Sequence, residues 1–370
     1  MGVEILVYIY LAVCLAMILF NIWTIIFSKL RDKANEKLRE RYMSMISEEL
    51  NAIREGRETD EHHVKYMKRA LRRQEHLLVF IQVMTELFTE FPAEIRTYIY
   101  SLSVALDTLI NHYKNNNDPI RYAFFLYSLR VFQQMSGATP PKVKDILLGA
   151  LREPNTYCRE NALQAIYRSG ESELVIKALS VIDSEHINHS RKLLSDGLLE
   201  FTGNSRELID RLWENFENFG PGMQVVILDY IRFCSPGHRD RILDILKDKN
   251  RDSELRFSCI RYFGKYPDEE AYPVLLQMAG DLGNLRWEYP AIACSALASY
   301  PGSQTIETLK RALHVANWYV RYNAAESLTK LGAGYIDLIE VIDGNDRYAR
   351  EILQFQLDMK YNQQKEAISK

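Results

Sequence analysis

A pattern that returns about every 32 residues constrains this chain more than any other feature. Arg159, Arg191, Gln224, Arg256, Pro290, Arg321 and Arg350 follow one another at intervals of 29 to 34 residues. Three residues beyond these anchors stands a small or apolar side chain: Ala162, Leu194, Ile227, Cys259, Ala293, Ala324 and Leu353. Seven beyond stands a larger one: Ile166, Leu198, Ile231, Phe263, Leu297, Leu328 and Leu357. Offsets of three and seven share one face of an α-helix. Gly or Pro closes most of these stretches (Gly170, Gly203, Gly237, Pro267, Gly302, Gly332), and a second amphipathic stretch usually follows, as at 174–182 and 240–247. The unit is helix, turn, helix. One such pair cannot bury its own apolar face, so neighbours must stack into a continuous core. Only 17 Gly and 11 Pro occur in 370 residues, fewer than average, which favours helices over a β-sandwich or a collagen-like chain.

The stretches Tyr157-Cys158-Arg159-Glu160-Asn161-Ala162, Leu255-Arg256 and Tyr319-Val320-Arg321-Tyr322-Asn323-Ala324-Ala325-Glu326-Ser327-Leu328 resemble the HEAT-repeat family in its short prokaryotic form. The resemblance covers about residues 140–360, with a degenerate unit beginning near Pro119-Ile120-Arg121. It implies an all-α, right-handed α-solenoid of helix pairs. It also implies a ladder in which an acidic or amide residue six positions before the arginine links neighbouring units. Glu153 stands so before Arg159, Glu185 before Arg191 and Asn250 before Arg256; Arg321 and Arg350 supply further arginines. Gln224 and Pro290 replace the arginine, so the ladder is expected to be interrupted there. Such architecture says little about chemistry.

Ahead of the repeats, residues 5–27 run for 23 positions without a charge. As a helix this segment spans about 34 Å, a little more than the hydrocarbon core of a bilayer. With apolar side chains all round it has no face for water, and the only charged residue before it is Glu4, unlike the basic start of a cleaved signal peptide. A single transmembrane helix is expected. Lys29, Arg31, Lys33, Lys37, Arg39 and Arg41 all follow it, so the positive-inside rule puts the N-terminus outside and the body in the cytoplasm. Trp23, Lys29, Arg31 and Lys33 are the expected membrane-interface residues. Because Asp32, Glu36 and Glu40 are interleaved, the basic run reads either as a headgroup contact or as a solvated helix face.

The expected organisation is a transmembrane anchor at 1–28, a helical stalk and collar at 29–116, the repeat solenoid at 117–360 and a polar tail at 361–370. Within the collar, Thr59 or Asp60 is expected to cap a second helix running to about Glu90, and Pro92 to open a third reaching Tyr113. The basic and acidic residues, 46 against 49, leave a net charge of -3, which argues against a globally basic nucleic-acid binder.

No constellation for catalysis stands out. The eight histidines form no HExxH; His186 and His189, near Asp183 and Glu185, are polar turn residues or at most a weak metal site. Gly220-Pro221-Gly222 lacks the spacing of a phosphate loop. The five cysteines contain no CxxC, and Cys158, Cys234, Cys259 and Cys294 read as small core residues. No metal, cofactor or catalytic residue is expected. Trp213, Trp287, Trp318 and Tyr319 either anchor a partner or pack between repeats; Trp, Tyr and Arg dominate interface hot spots.

The reading is a non-enzymatic, membrane-anchored cytoplasmic scaffold that binds a protein partner, itself a membrane protein. An accessory subunit of a bacterial envelope polysaccharide synthase or transporter is one concrete form. The alternatives are an enzyme similar to HEAT-like bilin lyases or DNA glycosylases, and a module that binds the lipid surface.

Overall fold

The computed structural model describes the backbone of every residue except 1, 116–117, 137–138, 282, 284–285 and 369–370. Most of the described residues are helical, and none is in a strand. They form two compact units, Met1–Ala178 and Leu179–Lys370.

The N-terminal unit opens with one continuous helix of 53 residues, α1 (Gly2–Arg54). Its first half is long and apolar enough to cross a membrane, and its most apolar stretch is not buried against any of the described residues. Its second half is part of a core: Tyr42, Ile46 and Leu50, four residues apart on one face, are fully buried. Against them pack α3 (Gln74–Leu87) and α4 (Pro92–Lys114), while α2 (Glu61–Ala70) lies on α4. Asp60 caps α2 by accepting a hydrogen bond from the amide of His62. The helix expected to run to Glu90 instead breaks after Ala70 and resumes at Gln74. Side chains from α4 meet the carbonyls at the break: Tyr113 donates to Leu71 at 2.8 Å, and His112 Nε2 lies 3.0 Å from the Arg72 carbonyl. That compensation comes from 40 residues downstream, so no local pattern announces it.

The same unit continues through α5 (Pro119–Ser136), α6 (Pro141–Ala150), α7 (Thr156–Arg168) and the start of α8 (Ser172–Ser184). The boundary expected at residue 117 does not separate compact bodies. Tyr113 of α4 stacks on Phe125 of α5, ring centroids 5.1 Å apart, and α4 and α5 share one core.

The C-terminal unit repeats one arrangement. The helices α9 (Arg191–Leu198), α11 (Pro221–Cys234), α13 (Ser253–Lys265), α15 (Glu288–Ala296), α17 (Trp318–Leu331) and α19 (Arg347–Ile368) each pack on the next. Between them run α10 (Ser205–Glu214), α12 (Arg239–Lys247), α14 (Tyr272–Gly280), α16 (Ser303–Ala312) and α18 (Tyr335–Ile342), each against the helix that follows it. The periodic apolar positions form this core: Leu198, Ile231, Phe263, Leu297 and Leu328 are fully buried, as are Ile227, Cys259, Ala293 and Ala324. Each large one contributes about 1.5–3 kcal/mol by leaving water. Gly264 permits a close approach, since a Cβ there would stand 3.0 Å from the Ala296 Cα. The helix α19 continues to Ile368, through residues without Gly or Pro.

Candidate partner-binding surface

Three of the anchor arginines tie the turn between paired helices to the helix that follows. Arg159 donates from Nη1 to the carbonyls of Glu153 and Pro154, at 2.7 and 2.8 Å. Arg350 donates to the Gly344 carbonyl at 3.2 Å, and Arg321 Nε donates to that of Val315. Position six before the arginine therefore serves through its backbone oxygen. Arg256, 6% exposed, reaches further, to the Leu246 carbonyl at 3.0 Å, while Asn250 lies exposed. Arg191 opens α9 as an exposed side chain, and Glu185 ends the preceding turn.

Links to the neighbouring unit come from other atoms. Arg256 Nη1 donates to the Tyr289 hydroxyl at 3.0 Å, and Arg321 Nη1 lies 3.6 Å from Asp346. Asn323 donates to the Ala291 carbonyl and, in the N-terminal unit, Asn161 to that of Ala123, both at 2.8 Å. These asparagines were missed as ladder residues, although the shared Arg-x-Asn-Ala of two repeats displays them. Gln224 does not interrupt the pattern as expected: its buried amide donates to the Phe216 carbonyl at 3.0 Å. At Pro290 the neighbouring Tyr289 takes the arginine of the preceding unit.

Aromatic side chains stand at the starts of α15 and α17. Asn317 caps α17 by accepting from the amides of Tyr319 and Val320. Val320 faces the core, whereas Trp318 and Tyr319 are 57% and 55% exposed. Trp287, at the entry to α15, is 44% exposed and stacks on Tyr319 at 5.2 Å. Trp318 meets Tyr319 edge-on at 5.2 Å and stacks on Tyr322 at 4.9 Å. Four rings thus make one continuous surface across two repeats. Beside it, Trp318, Arg321, Tyr322, Tyr348, Ile352 and Phe355 line an open groove of about 620 Å³. The Arg321 guanidinium lies over the Tyr348 ring at 5.4 Å. Asp346 caps α19 and takes a 3.0 Å bond from His314. The Ala349 amide, then His314, hold its carboxyl below the usual carboxylate range.

Trp213 does not join this surface. It is 7% exposed, packed against Phe216 at 4.7 Å and His238 at 5.5 Å, because α10 turns it inward against the next helix pair. In the N-terminal unit Trp23 is exposed on α1 and stacks on Phe27 at 5.5 Å, with Lys29, Arg31 and Lys33 exposed on the turns that follow.

Cys158, Cys259 and Cys294 are buried, and burial pushes the thiols of Cys158 and Cys294 up to about 11 and 12. Protonated thiols are poor nucleophiles. Cys234 differs from the expectation: at the exposed end of α11, it is accessible. No protein-family model matches the chain, and neither does any curated protein.

Proposed function

We propose that this chain is a membrane-anchored scaffold of HEAT-like helix pairs, wound as a right-handed solenoid, that holds a protein partner at the membrane. The observation that carries the reading is the continuous aromatic surface of Trp287, Tyr319 and Trp318, all exposed, backed by the half-buried Tyr322. A monomer has no reason to leave three contiguous rings to water, and Trp and Tyr are the side chains that dominate hot spots. The Asn317 cap fixes the helix end that carries Trp318, Tyr319 and Tyr322, so little ordering entropy is lost there on binding.

The apolar half of α1 serves as a retained single span, with the N-terminus outside and the body cytoplasmic. Its continuity with the buried face of Tyr42, Ile46 and Leu50 supports retention, because the same helix is both anchor and core element. The partner is then a membrane protein, since confinement to two dimensions raises the effective concentration of one binding site near another. The scaffold itself performs no chemistry; an accessory subunit of a bacterial envelope synthase or transporter is the form it takes.

The test is isolation of the full chain in mild detergent from its own membranes. A stoichiometric partner is expected, and Trp318→Ala with Tyr319→Ala should lower its recovery at least about tenfold, a loss of ~1.4 kcal/mol or more. A chain that runs alone, or a double variant that retains its partner in full, overturns the reading.

A further inference from the structure

The apolar half of α1 contains one strongly polar side chain that none of the described residues pairs with. Counting at 1.5 Å per residue, Asn21 lies about 9 Å inside the Phe27 end of the uncharged segment, within the hydrocarbon if the segment spans. The nearby Thr24 hydroxyl is satisfied, donating to the Asn21 backbone carbonyl at 2.8 Å. The Asn21 carboxamide has no hydrogen-bond partner among the described residues, and the side chain is exposed on the helix surface. An amide with two N–H donors and one carbonyl is costly to leave unpaired in lipid.

Two further small polar side chains share its face. Cys14 and Ser28 lie seven residues either side of Asn21, two helical turns away and within about 20° of the same direction. Small side chains let two helix backbones approach closely within a bilayer. Leu19 and Trp23 lie on the opposite face.

We propose that α1 pairs with α1 of a second copy of this chain inside the membrane, through the face of Cys14, Asn21 and Ser28. The inference rests on the spanning reading given above. A second copy fits better than an unrelated helix because a carboxamide is self-complementary: across a two-fold axis each Asn21 amide donates to the other's carbonyl and accepts in return. The rest of the segment offers no second polar group of that kind that would call for a different partner. Pairing doubles the aromatic surfaces held at one place on the membrane.

Cysteine oxidation in intact membranes tests this with the full chain. In a Cys234→Ser background the remaining body cysteines are buried, so copper phenanthroline with dissolved oxygen should join two chains through Cys14, the two thiols losing two protons and two electrons to the oxidant. Asn21→Leu should lower the crosslinked fraction at least about fivefold, and Asn21→Gln, which keeps the amide, should stay within about twofold. A cysteine moved to the opposite face, Cys14→Ser with Leu19→Cys, should crosslink poorly. The proposal is overturned if Cys14 gives no dimer, if it gives an adduct with another protein instead, if Asn21→Leu crosslinks like the parent, or if the Leu19→Cys chain crosslinks as well. Extraction at alkaline pH separates the two claims: a parent chain released from the membrane removes the span and with it the pairing, whereas a retained chain with Asn21-independent crosslinking removes the pairing alone.

Discussion

The repeats and the helices around α1 solve the same problem, placing polar groups inside a helical core, in opposite ways. In the C-terminal unit the contacts recur: arginine, glutamine or asparagine at a repeated position donates to a backbone carbonyl of the adjoining turn or helix, as Gln224, Arg256 and Asn323 do. Around α1 in the N-terminal unit each contact occurs once. His63 and Tyr98 share a 2.6 Å bond, and Tyr42 and His76 one of 2.7 Å, each joining different helices. Periodic contacts tolerate variation because a backbone carbonyl is always present to accept. Unique side-chain pairs depend on both partners, so loss of either strands the other in the core.

Breaking the comparison begins with its strongest member. Arg256→Ala removes two hydrogen bonds and a guanidinium packed 4.9 Å over Tyr289; about 3 kcal/mol of local stability should be lost, read as faster amide exchange in α13 and α15. Unchanged exchange would show the periodic contacts to be ornamental. In the N-terminal unit, Tyr98→Phe leaves His63 without its partner and should cost about 1–2 kcal/mol, read by thermal denaturation of the detergent-solubilised chain. Gln224→Ala should cost about 1 kcal/mol, less than Tyr98→Phe if repetition confers tolerance. A larger loss than Tyr98→Phe would reverse the contrast.

The smallest effect is in pH. Burial lowers the pKa of His63, against the carboxylates of Glu49 and Asp60, which raise it. Burial, then Arg73, lowers that of His76. A folded-state pKa below the unfolded value means that the unfolded chain takes up protons first. Stability of the N-terminal unit is therefore complete above about pH 6.5 and falls as pH drops toward the lowered values, by at most about 1.4 kcal/mol per pH unit for each group. Melting curves at pH 7.5 and 5.5 should show the decline, and His63→Phe should make it shallower. An equal decline in that variant would assign the effect elsewhere.

The contrast also explains what could be read in advance. Most of the repeated apolar positions were legible: the offsets led to Ile231, Phe263 and Leu328, which are core, while Leu357 at the same offset is only half-buried. Helix starts with a local signal were legible too, as with the Asp60 cap and with Pro92 in the first turn. The break at 71–73 was not, because its compensation comes from His112 and Tyr113 in another helix. Tryptophan alone did not reveal its direction. Trp318 follows a capping asparagine and points out, whereas Trp213 ends a helix that turns it inward. The arginine ladder was legible in position but not in partner, since a backbone oxygen leaves no mark in the residue six places before.

The most direct test of the scaffold reading is photo-crosslinking in intact membranes. A photoreactive side chain placed at Tyr319, and separately at Tyr348, should give the same single adduct, while one at the exposed Lys247 on α12 gives none. Absence of an adduct at both aromatic positions, or an equal yield of the same adduct at Lys247, would contradict it.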